Sequence, residues 1–464
     1  MVRILVLART AGDFTTRQMK RAGMTMNKQI EALFTTALGL QAPWEVSKVE
    51  LDTSKRRIDF EVKYTTKRAD CPGCGQVEQG IHDRISRSWR HLDFFQFEAW
   101  LHADVPRVQC TGCGKTTQMA VPWAKEGSGF TLLFEALALS LAQELPVAQT
   151  ARQMRVGSKR LWRRLAHYVG LARAQDDMHE VTHVGIDETS VKRGHEYITV
   201  VHDLARKRLL FATPGRDHHT LEAFAQDLQA HGGDVRNIKH ACIDMSAAYT
   251  KGLAQSLPHA QVSYDRFHVV ALANTAMDEV RREEMRTSIQ TVRETNGFQD
   301  KKTLRQLFWG MRKNPSQWTH GQISAMHWLQ RSTLKSARAW RLKQGLRLVY
   351  SQAVSANSEE IAKQALIKWL SWAKRSRLEP FKRLAATIRS HFDGVVRGML
   401  DGRSNAYVEA MNGLLQQTKI AARGFRNIGN FITIAYLRMS KLKHLPANPM
   451  LTALPRSVRH VHFC

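Results

Sequence analysis

The stretch VTHVGIDETSVKRGHEYITVV, residues 181–201, contains the two strand patterns that decide the fold of the central domain. VTHVGID has the apolar character of a buried strand and ends in Asp187, and EYITVV begins a second strand. Further along, IKHACID at residues 238–244 is another apolar strand that ends in an aspartate, Asp244. The sequence therefore predicts two core strands that each end in a carboxylate.

The segments around these strands complete an α/β pattern. They are a strand at KRLLFATPG (207–215), an amphipathic helix at HTLEAFAQDLQAHGG (219–233), a helix at AAYTKGLAQSL (247–257) and a strand at AQVSYD (260–265). Three strands, a helix, a strand, a helix and a strand is the order of the RNase H-like fold. In that fold the first strand and the strand after the first helix lie side by side. We therefore predict such a core over residues 181–280, in which Asp187 and Asp244 meet.

Two carboxylates that meet in this way can hold divalent metal. Mg²⁺ prefers hard oxygen ligands, and two Mg²⁺ ions about 4 Å apart can activate an attacking hydroxyl and stabilise a leaving oxygen. A third carboxylate is expected from RSNAYVEAMNGLLQQTK, where four polar residues fall at helical spacing on one face: Asn405, Glu409, Asn412 and Gln416. An aspartate at a strand end is often only a turn or cap residue, so the prediction depends on all three acids together.

Before this core, residues 44–66 alternate like strands, and the predicted zinc-binding domain over residues 44–125 contains two C-x-x-C pairs. CPGCG holds Cys71 and Cys74, and CTGCGK holds Cys110 and Cys113. Four thiolates at tetrahedral corners make a closed structural zinc site, so we predict a β-rich domain with one Zn²⁺. Four unmetallated thiols are the less favoured alternative. Three histidines between the pairs could also replace a cysteine ligand, although four thiolates are preferred: His82, His91 and His102.

Residues 126–175 predict a helix-turn-helix, because VAQTARQM and KRLWRRLAHYV are joined by the Gly-containing turn RVGS. The second helix offers four basic residues for a DNA groove: Lys159, Arg160, Arg163 and Arg164. On spacing alone, an ordinary helical hairpin with a solvated charged face fits equally well. The zinc module before it favours DNA binding.

The charge balance supports a polyanionic partner. Of 464 residues, 69 are Lys or Arg and 41 are Asp or Glu, for a formal net charge of +28. Residues 281–400 form a basic, tryptophan-rich and helical insertion before the core resumes at 401–445. We expect most of its tryptophans to be core and its basic surface to contact DNA phosphates. No apolar run reaches the length of a membrane span, so no membrane partner is expected.

The ends of the chain carry less pattern. Residues 1–43 are expected to hold an unstructured or extra segment at 1–25 and then a helix, and residues 446–464 form a tail. A later start at Met24 or Met26 fits this pattern, because the amphipathic segment begins there.

The order of motifs resembles the ISL3 family of bacterial insertion-sequence transposases from about residue 26 onward. The motifs are CPGCG, SWRHLD, PRVQCTGCG, GIDETSVKRGHEYITVV, CIDMSAAY, YDRFHVV, SNAYVEAMNG and ARGFRNIGNF. The resemblance implies that Asp187, Asp244 and Glu409 are the DDE catalytic and magnesium-binding residues, with two Mg²⁺ or Mn²⁺ ions, and that the four cysteines bind zinc.

DRFH resembles an Asp-x-x-His signature of several transposases. This makes Asp265 and His268 candidates to support the metal ligands or handle DNA, together with Asn405 and Asn412, although His268 fits a structural histidine equally well. The implied partners are double-stranded DNA, as terminal inverted repeats and target, and further copies of the chain, because two ends must be cut in concert. We expect a cytoplasmic, nucleoid-associated enzyme. A regulator without catalysis and a junction resolvase are the discounted alternatives.

Overall fold

The computed structural model describes residues 16–192, 196–296, 301–400 and 402–452. Within these ranges, the side chains of residues 16–25, 192, 287–296, 301–304, 402–406, 409, 451 and 452 are outside the description. The chain divides into two compact units. Of the described residues, the first unit contains those up to 145, 150–157 and those from 446, and the second contains 146–149 and those within 158–445. This division passes through residues 126–175, which the sequence pattern groups as one domain.

The first unit is built on a six-stranded sheet. Its elements are α1 (Thr16–Ala37), β1 (Trp44–Asp52), β2 (Arg57–Tyr64), β3 (Arg68–Ala69), β4 (Gln79–Arg90), β5 (Glu98–Gln109), β6 (Thr116–Gln118) and α2 (Leu132–Glu144). The strands lie in the order β1-β2-β5-β4-β3, with β6 paired to β5. Helix α1 begins at Thr16, before residue 26, where the sequence pattern placed the start of the helix.

The core of this sheet is aromatic. The Trp123 ring packs edge-on against both Trp44 and Trp89, at centroid distances of 4.9 and 5.5 Å. Strand β2 shows why the sheet has one buried face, because Ile58, Phe60 and Val62 alternate with polar residues and are all buried. The alternation that indicated strands in the sequence is therefore the alternation between core and solvent.

The next helices lead into the second unit. Helix α3 (Val147–Gln153) crosses a boundary between the units, and α4 (Ser158–Ala174) belongs to the second unit. The sheet of the second unit comprises β7 (His183–Lys192), β8 (Glu196–Asp203), β9 (Arg208–Pro214), β10 (His240–Ile243) and β11 (Gln261–Tyr264). Helices α5 (His219–Ala230) and α6 (Ala247–Ser256) connect β9 to β10 and β10 to β11.

This second sheet has the order β11-β10-β7-β8-β9. Strands β7, β8 and β9 are antiparallel neighbours, whereas β10 is parallel to both β7 and β11. Strand β7 is central and is paired on both edges. Thr199, which pairs with Glu188 of β7, bonds Tyr249 of α6 on one face (Oγ1 to OH, 2.9 Å). The structure has the predicted order of strands and helices along the chain, and β7 and β10 are adjacent as predicted.

The described residues after β11 are mostly helical. The helices are α7 (Arg266–Asn296), α8 (Lys301–Arg312), α9 (His320–Arg331), α10 (Lys335–Ala356), α11 (Glu359–Lys374), α12 (Glu379–Ser390), α13 (Phe392–Leu400), α14 (Gly402–Ala421), α15 (Ile428–Met439) and α16 (Pro449–Thr452). The sequence boundary at residue 280 falls inside α7, so the insertion continues a helix that starts directly after β11. Of its tryptophans, Trp340 and Trp369 are buried and Trp318 and Trp328 are partly buried, whereas Trp309 and Trp372 are exposed.

Among the helices of the described residues, none combines the length and apolar character needed to cross a membrane.

Candidate active site and zinc site

An aspartate in β7 and the aspartates that directly follow β10 and β11 lie at the same level of the second sheet. Cys242 of β10 pairs with Gly185 of β7, and Ile243 of β10 pairs with Tyr264 of β11. Continuing this register by one or two residues puts Asp187, Asp244 and Asp265 side by side. Adjacent strands are about 4.8 Å apart, so the three carboxyl groups share one edge of the sheet.

The position of Asp187 differs from the prediction in one respect. Strand β7 does not end there but continues to Lys192, because its other edge stays paired with β8 as far as Lys192 and Glu196. Its pairing with β10 stops at Gly185. Asp187 therefore lies inside β7, in the part of the strand that is paired with β8 but no longer with β10.

Backbone amides orient all three carboxylates. Oδ1 of Asp187 accepts a hydrogen bond from Glu188 N at 2.7 Å, and Oδ1 of Asp244 accepts one from Ser246 N at 2.9 Å. Oδ1 of Asp265 accepts one from Phe267 N at 2.8 Å, just where α7 begins. Asp244 and Asp265 thus also act as the turn residues that the sequence alone would have allowed.

Burial and a nearby histidine set the electrostatics of the site. His268 Nε2 lies 3.9 Å from Asp187 Oδ1 and 3.9 Å from Asp265 Oδ2. The Asp187 carboxylate raises the pKa of His268 to about 9, although burial opposes the shift. Burial raises the pKa of Asp244, and Asp187 adds to this while His268 opposes it. The site therefore concentrates negative charge and holds one imidazolium against it.

Glu188 is close to these acids but on the other side of β7. Its pKa is raised, mainly by burial, and Arg216 Nη1 lies 3.9 Å from its Oε1. Successive strand residues point to opposite faces, so Glu188 faces α6 whereas Asp187 faces α14. Glu188 therefore points away from the side of β7 on which Asp187 lies.

Helix α14 lies along β7 with matched spacing. Asn412 Nδ2 bonds Asp187 Oδ2, Gln416 Nε2 bonds Thr189 Oγ1, and Lys419 Nζ donates to Ser190 O at 2.8 Å. Four helical residues rise about 6 Å and two strand residues about 6.6 Å, so each helical turn meets the next inward residue of the strand. The match explains why polar residues at i and i+4 of α14 meet alternate residues of β7.

A glycine lets the helix approach this closely. A Cβ on Gly185 would lie 2.6 Å from Val408 Cγ2 of α14 and 2.8 Å from Leu204 Cδ2. Beside it on β8, His202 pairs with Gly185 and is fully buried, and burial lowers its pKa to about 4. Neither Gly185 nor His202 was among the predicted site residues. Alternate residues of a strand lie on the same face, so the position of Gly185, two residues before Asp187, could have indicated that it faces the site.

Two predicted site residues cannot be placed. Asn405 and Glu409 belong to α14, but their side chains lie outside the described residues. The backbone of Glu409 lies on α14 between Val408 and Asn412. Val408 packs against Gly185 of β7, and Asn412 contacts Asp187.

The four basic residues of the predicted recognition helix lie on α4. Lys159, Arg160 and Arg163 are exposed and Arg164 is half-buried. The opposite side of the helix packs through buried Leu161 and Leu165.

The four predicted zinc ligands form one cluster. Their Sγ atoms all lie within 4.8 Å of one another, with Cys71 and Cys113 at 3.9 Å and Cys74 and Cys110 at 3.4 Å. A tetrahedral site with Zn–S bonds of about 2.3 Å needs sulfur atoms about 3.8 Å apart. Among the described side chains, this is the one group of three or more His, Cys, Asp or Glu ligand atoms so close together. The donor set and its spacing fit Zn²⁺.

The two cysteine loops have the same backbone geometry. Gly75 N bonds Cys71 O and Gly114 N bonds Cys110 O, each at 2.9 Å. Both glycines have positive φ, 78° and 69°. This left-handed turn costs glycine little, which explains the glycine after each pair. The backbone amide of Cys113 helps lower the pKa of Cys110 to about 7, which favours the thiolate that binds metal.

The three histidines lie outside this cluster. His102 Nε2 is 2.6 Å from Asp59 Oδ1 and its Nδ1 is 2.7 Å from Ser88 Oγ. His91 Nδ1 is 2.9 Å from Thr131 Oγ1. His82 Nδ1 lies 3.5 Å from Asp83 Oδ2. The preference for four thiolates over a histidine ligand therefore agrees with the structure.

Comparisons with known proteins define the class of this chain: a zinc ribbon, a helix-turn-helix and a transposase domain, in that order. Residues 67–113 match the zinc finger of transposases IS204/IS1001/IS1096/IS1165, and residues 119–169 match the helix-turn-helix domain of transposase family ISL3. Residues 184–435 match the transposase domain of the same family. The chain belongs to the ISL3 family of transposases.

Individual relatives agree with this assignment. The transposase for insertion sequence element IS1557 of Mycobacterium tuberculosis is 31% identical over 401 residues, which cover 82% of this chain and 87% of the relative. The transposase for insertion sequence element IS1001 of Bordetella parapertussis is 24% identical over 377 residues, 80% of this chain and 89% of the relative. The resemblance noted in the sequence is confirmed.

Proposed function

We propose that this protein binds the terminal inverted repeats of an insertion sequence, cuts the DNA at those ends and joins them to target DNA. The observation that carries the proposal is that the register of the adjacent parallel strands β7 and β10 puts Asp187 and Asp244 side by side. Helix α14, which contains Glu409, lies along β7. The sheet order β11-β10-β7-β8-β9 supports an RNase H-like core. Several carboxylates at one sheet edge form a site for hard cations and not for DNA.

The assigned metal ligands are Asp187, Asp244 and Glu409. Bound Mg²⁺ or Mn²⁺, as a pair of ions, would activate the attacking hydroxyl and stabilise the leaving oxygen. The chain's own residues hold the carboxylates ready. Asn412 donates to Oδ2 of Asp187 while Glu188 N donates to Oδ1, so both oxygens of Asp187 are directed. His268 and Asp265 adjoin the same edge, where an imidazolium can contact a DNA phosphate.

DNA recognition is assigned to the first part of the chain and to α4. Arg160 and Arg163 are exposed on α4, and a bidentate arginine can distinguish guanine from other bases. One Zn²⁺ per chain stabilises the cysteine loops of the first unit. Because two DNA ends must be cut together, the active species is a homodimer or a higher oligomer that works on the bacterial nucleoid.

Cleavage of a labelled duplex that carries the element's own terminal repeat tests the proposal. We expect Mg²⁺-dependent or Mn²⁺-dependent nicking by the wild type and none by Asp187→Asn, Asp244→Asn or Glu409→Gln, with specific binding retained. Glu188→Gln is the matched control, because it removes a neighbouring carboxylate on the opposite face and should leave nicking intact. Normal nicking by any of the three variants would exclude that residue as a ligand. Binding without nicking by the wild type would favour a DNA-binding regulator.

A further inference from the structure

A basic pocket opens at the edge of the second sheet that lies opposite the carboxylates. The cavity has a volume of about 590 Å³. The residues that line it and enter the argument are His183, Lys239, His240, His259, Gln261 and Arg397. As far as the described residues go, its lining contains two permanent cations, three imidazoles and no acidic side chain. Such a lining suits an anion.

Strand register builds one wall of this pocket. His183 of β7 pairs with His240 of β10, which pairs with Gln261 of β11. The three strands therefore begin level, and three side chains with N–H donors stand in a row about 4.8 Å apart. Lys239 directly precedes β10 and is exposed.

Helix packing supplies the arginine. Gly394 and Gly398 of α13 lie against Tyr264, and a Cβ on Gly398 would overlap the Tyr264 carbonyl oxygen. This close approach allows Arg397 Nε to donate to Val262 O at 2.7 Å. The guanidinium is thus held at the pocket by its Nε, before any ligand arrives, which reduces the entropy lost on binding.

The acidic neighbour of this arginine already has a partner. Glu359 of α11 interacts with Arg397, but its Oε1 lies 2.7 Å from Lys363 Nζ. Because Glu359 is paired with Lys363, its carboxylate does not neutralise the positive charge of the pocket.

We propose that this pocket binds phosphate groups of the DNA backbone at a position other than the one that is cut. Arginine, lysine and histidine N–H donors match phosphate oxygens, and phosphate contacts of this kind involve no base. His240 and Asp244 are four strand residues apart, about 13 Å. That distance equals the rise of about four base pairs, so one phosphate cannot occupy both places. The inference rests on the proposed function only in taking DNA as the ligand.

Lysine footprinting of the full-length protein tests the pocket directly. An acetylating reagent is applied with and without a duplex, and modification of Lys239 and Lys251 is read by mass spectrometry. Lys251 is exposed on α6, outside the pocket, and serves as the internal control. We expect the duplex to protect Lys239 several-fold more than Lys251. Equal modification of Lys239 with and without duplex would overturn the proposal.

Binding measurements add a second readout. Lys239→Glu should weaken duplex binding and reduce the slope of log affinity against log salt by about one, whereas Lys251→Glu should change the slope less. A parallel arm uses inorganic phosphate as the probe. Protection of Lys239 by inorganic phosphate and not by duplex would overturn the assignment to DNA. Equal slopes for the two variants would do so as well.

The outcome can be separated from the test of catalysis. Protection is measured on Asp187→Asn protein, where nicking is not required, and nicking is measured on the wild type. Protection of Lys239 without nicking refutes the catalytic proposal and supports the phosphate pocket. Nicking without protection of Lys239 supports the catalytic proposal and refutes the pocket.

Discussion

Substitution of Gly185 by alanine is the sharpest available test of how α14 is placed on β7. The added Cβ would lie 2.6 Å from Val408 Cγ2 and 2.8 Å from Leu204 Cδ2. Ordinary carbon contacts are about 3.5–4.0 Å, so one partner must move by about 1 Å. The Leu204 side chain can rotate, but Val408 is stiff at χ1 in a helix and is buried. We therefore expect α14 to shift.

The shift is large enough to affect chemistry more than folding. Overpacking of this kind costs about 1–3 kcal/mol of folding stability. A displacement of about 1 Å at catalytic groups can cost about 100-fold in rate. Asn412 is one helical turn beyond Val408, so its contact with Asp187 moves too. We expect Gly185→Ala to bind terminal-repeat DNA normally and to nick it about 100-fold more slowly.

The assay compares single-turnover nicking of pre-bound duplex with thermal unfolding for the wild type and four variants. Gly413→Ala is the matched control, because it lies on α14 with nothing within 4 Å of its new Cβ, and it should nick normally. Val408→Ala removes the clashing methyl groups. The double variant Gly185→Ala/Val408→Ala should therefore nick faster than Gly185→Ala alone, a positive coupling.

Two results would refute the reasoning. One is nicking by Gly185→Ala at the wild-type rate. The other is the absence of any rescue by Val408→Ala, which would mean that the loss has a cause other than the position of α14.

Four further outcomes are expected. Asp187→Asn and Glu409→Gln should lose nicking in Mg²⁺ and in Mn²⁺ while keeping the wild-type affinity for terminal-repeat duplex, as measured by gel shift. Cys71→Ser should lose the one zinc seen by metal analysis and lower the melting temperature of the first unit, since structural zinc contributes folding energy; zinc-free protein that melts normally would contradict this. Arg163→Ala should reduce discrimination between terminal-repeat and scrambled duplex by about 1–3 kcal/mol, and an unchanged ratio would remove it from base recognition. In metal-free protein, the pKa of His268 is raised to about 9, above its unfolded value near 6.5. The stabilisation that this shift gives is complete below pH 6.5 and is lost as the pH rises through 9. His268→Gln should therefore flatten the fall in melting temperature between these two pH values.

The zinc site was predictable almost completely. Each cysteine pair needs only a tight local turn, and the glycine that permits the turn follows directly in the sequence at Gly75 and Gly114. What the sequence left open was whether a histidine replaced a cysteine. That depended on which side chains the long strands β4 and β5 bring to the loops, and those strands carry His102 to Asp59 instead.

The acidic edge of the second sheet was predictable in part. The order of strands and helices predicted that Asp187 and Asp244 would be neighbours, because it matches the order of the RNase H-like fold, in which the first strand and the strand after the first helix lie side by side. It could not show that β7 continues to Lys192, since the end of a strand depends on where its partner β8 pairs. Nor could it show that Oδ2 of Asp187 accepts a bond from Asn412, which is 225 residues away in the chain.

The sequence by itself determined the local and periodic features of this protein: the cysteine loops, the alternating strands, the basic face of α4 and the family to which the chain belongs. These depend on side-chain identity at short spacing, which a linear pattern records. Only the tertiary structure decided that Gly185 admits α14, that His268 lies 3.9 Å from two aspartates, and that His183, His240 and Gln261 begin their strands level. Those facts depend on how distant segments pack, and close packing is a property of the whole chain and not of any one stretch of it.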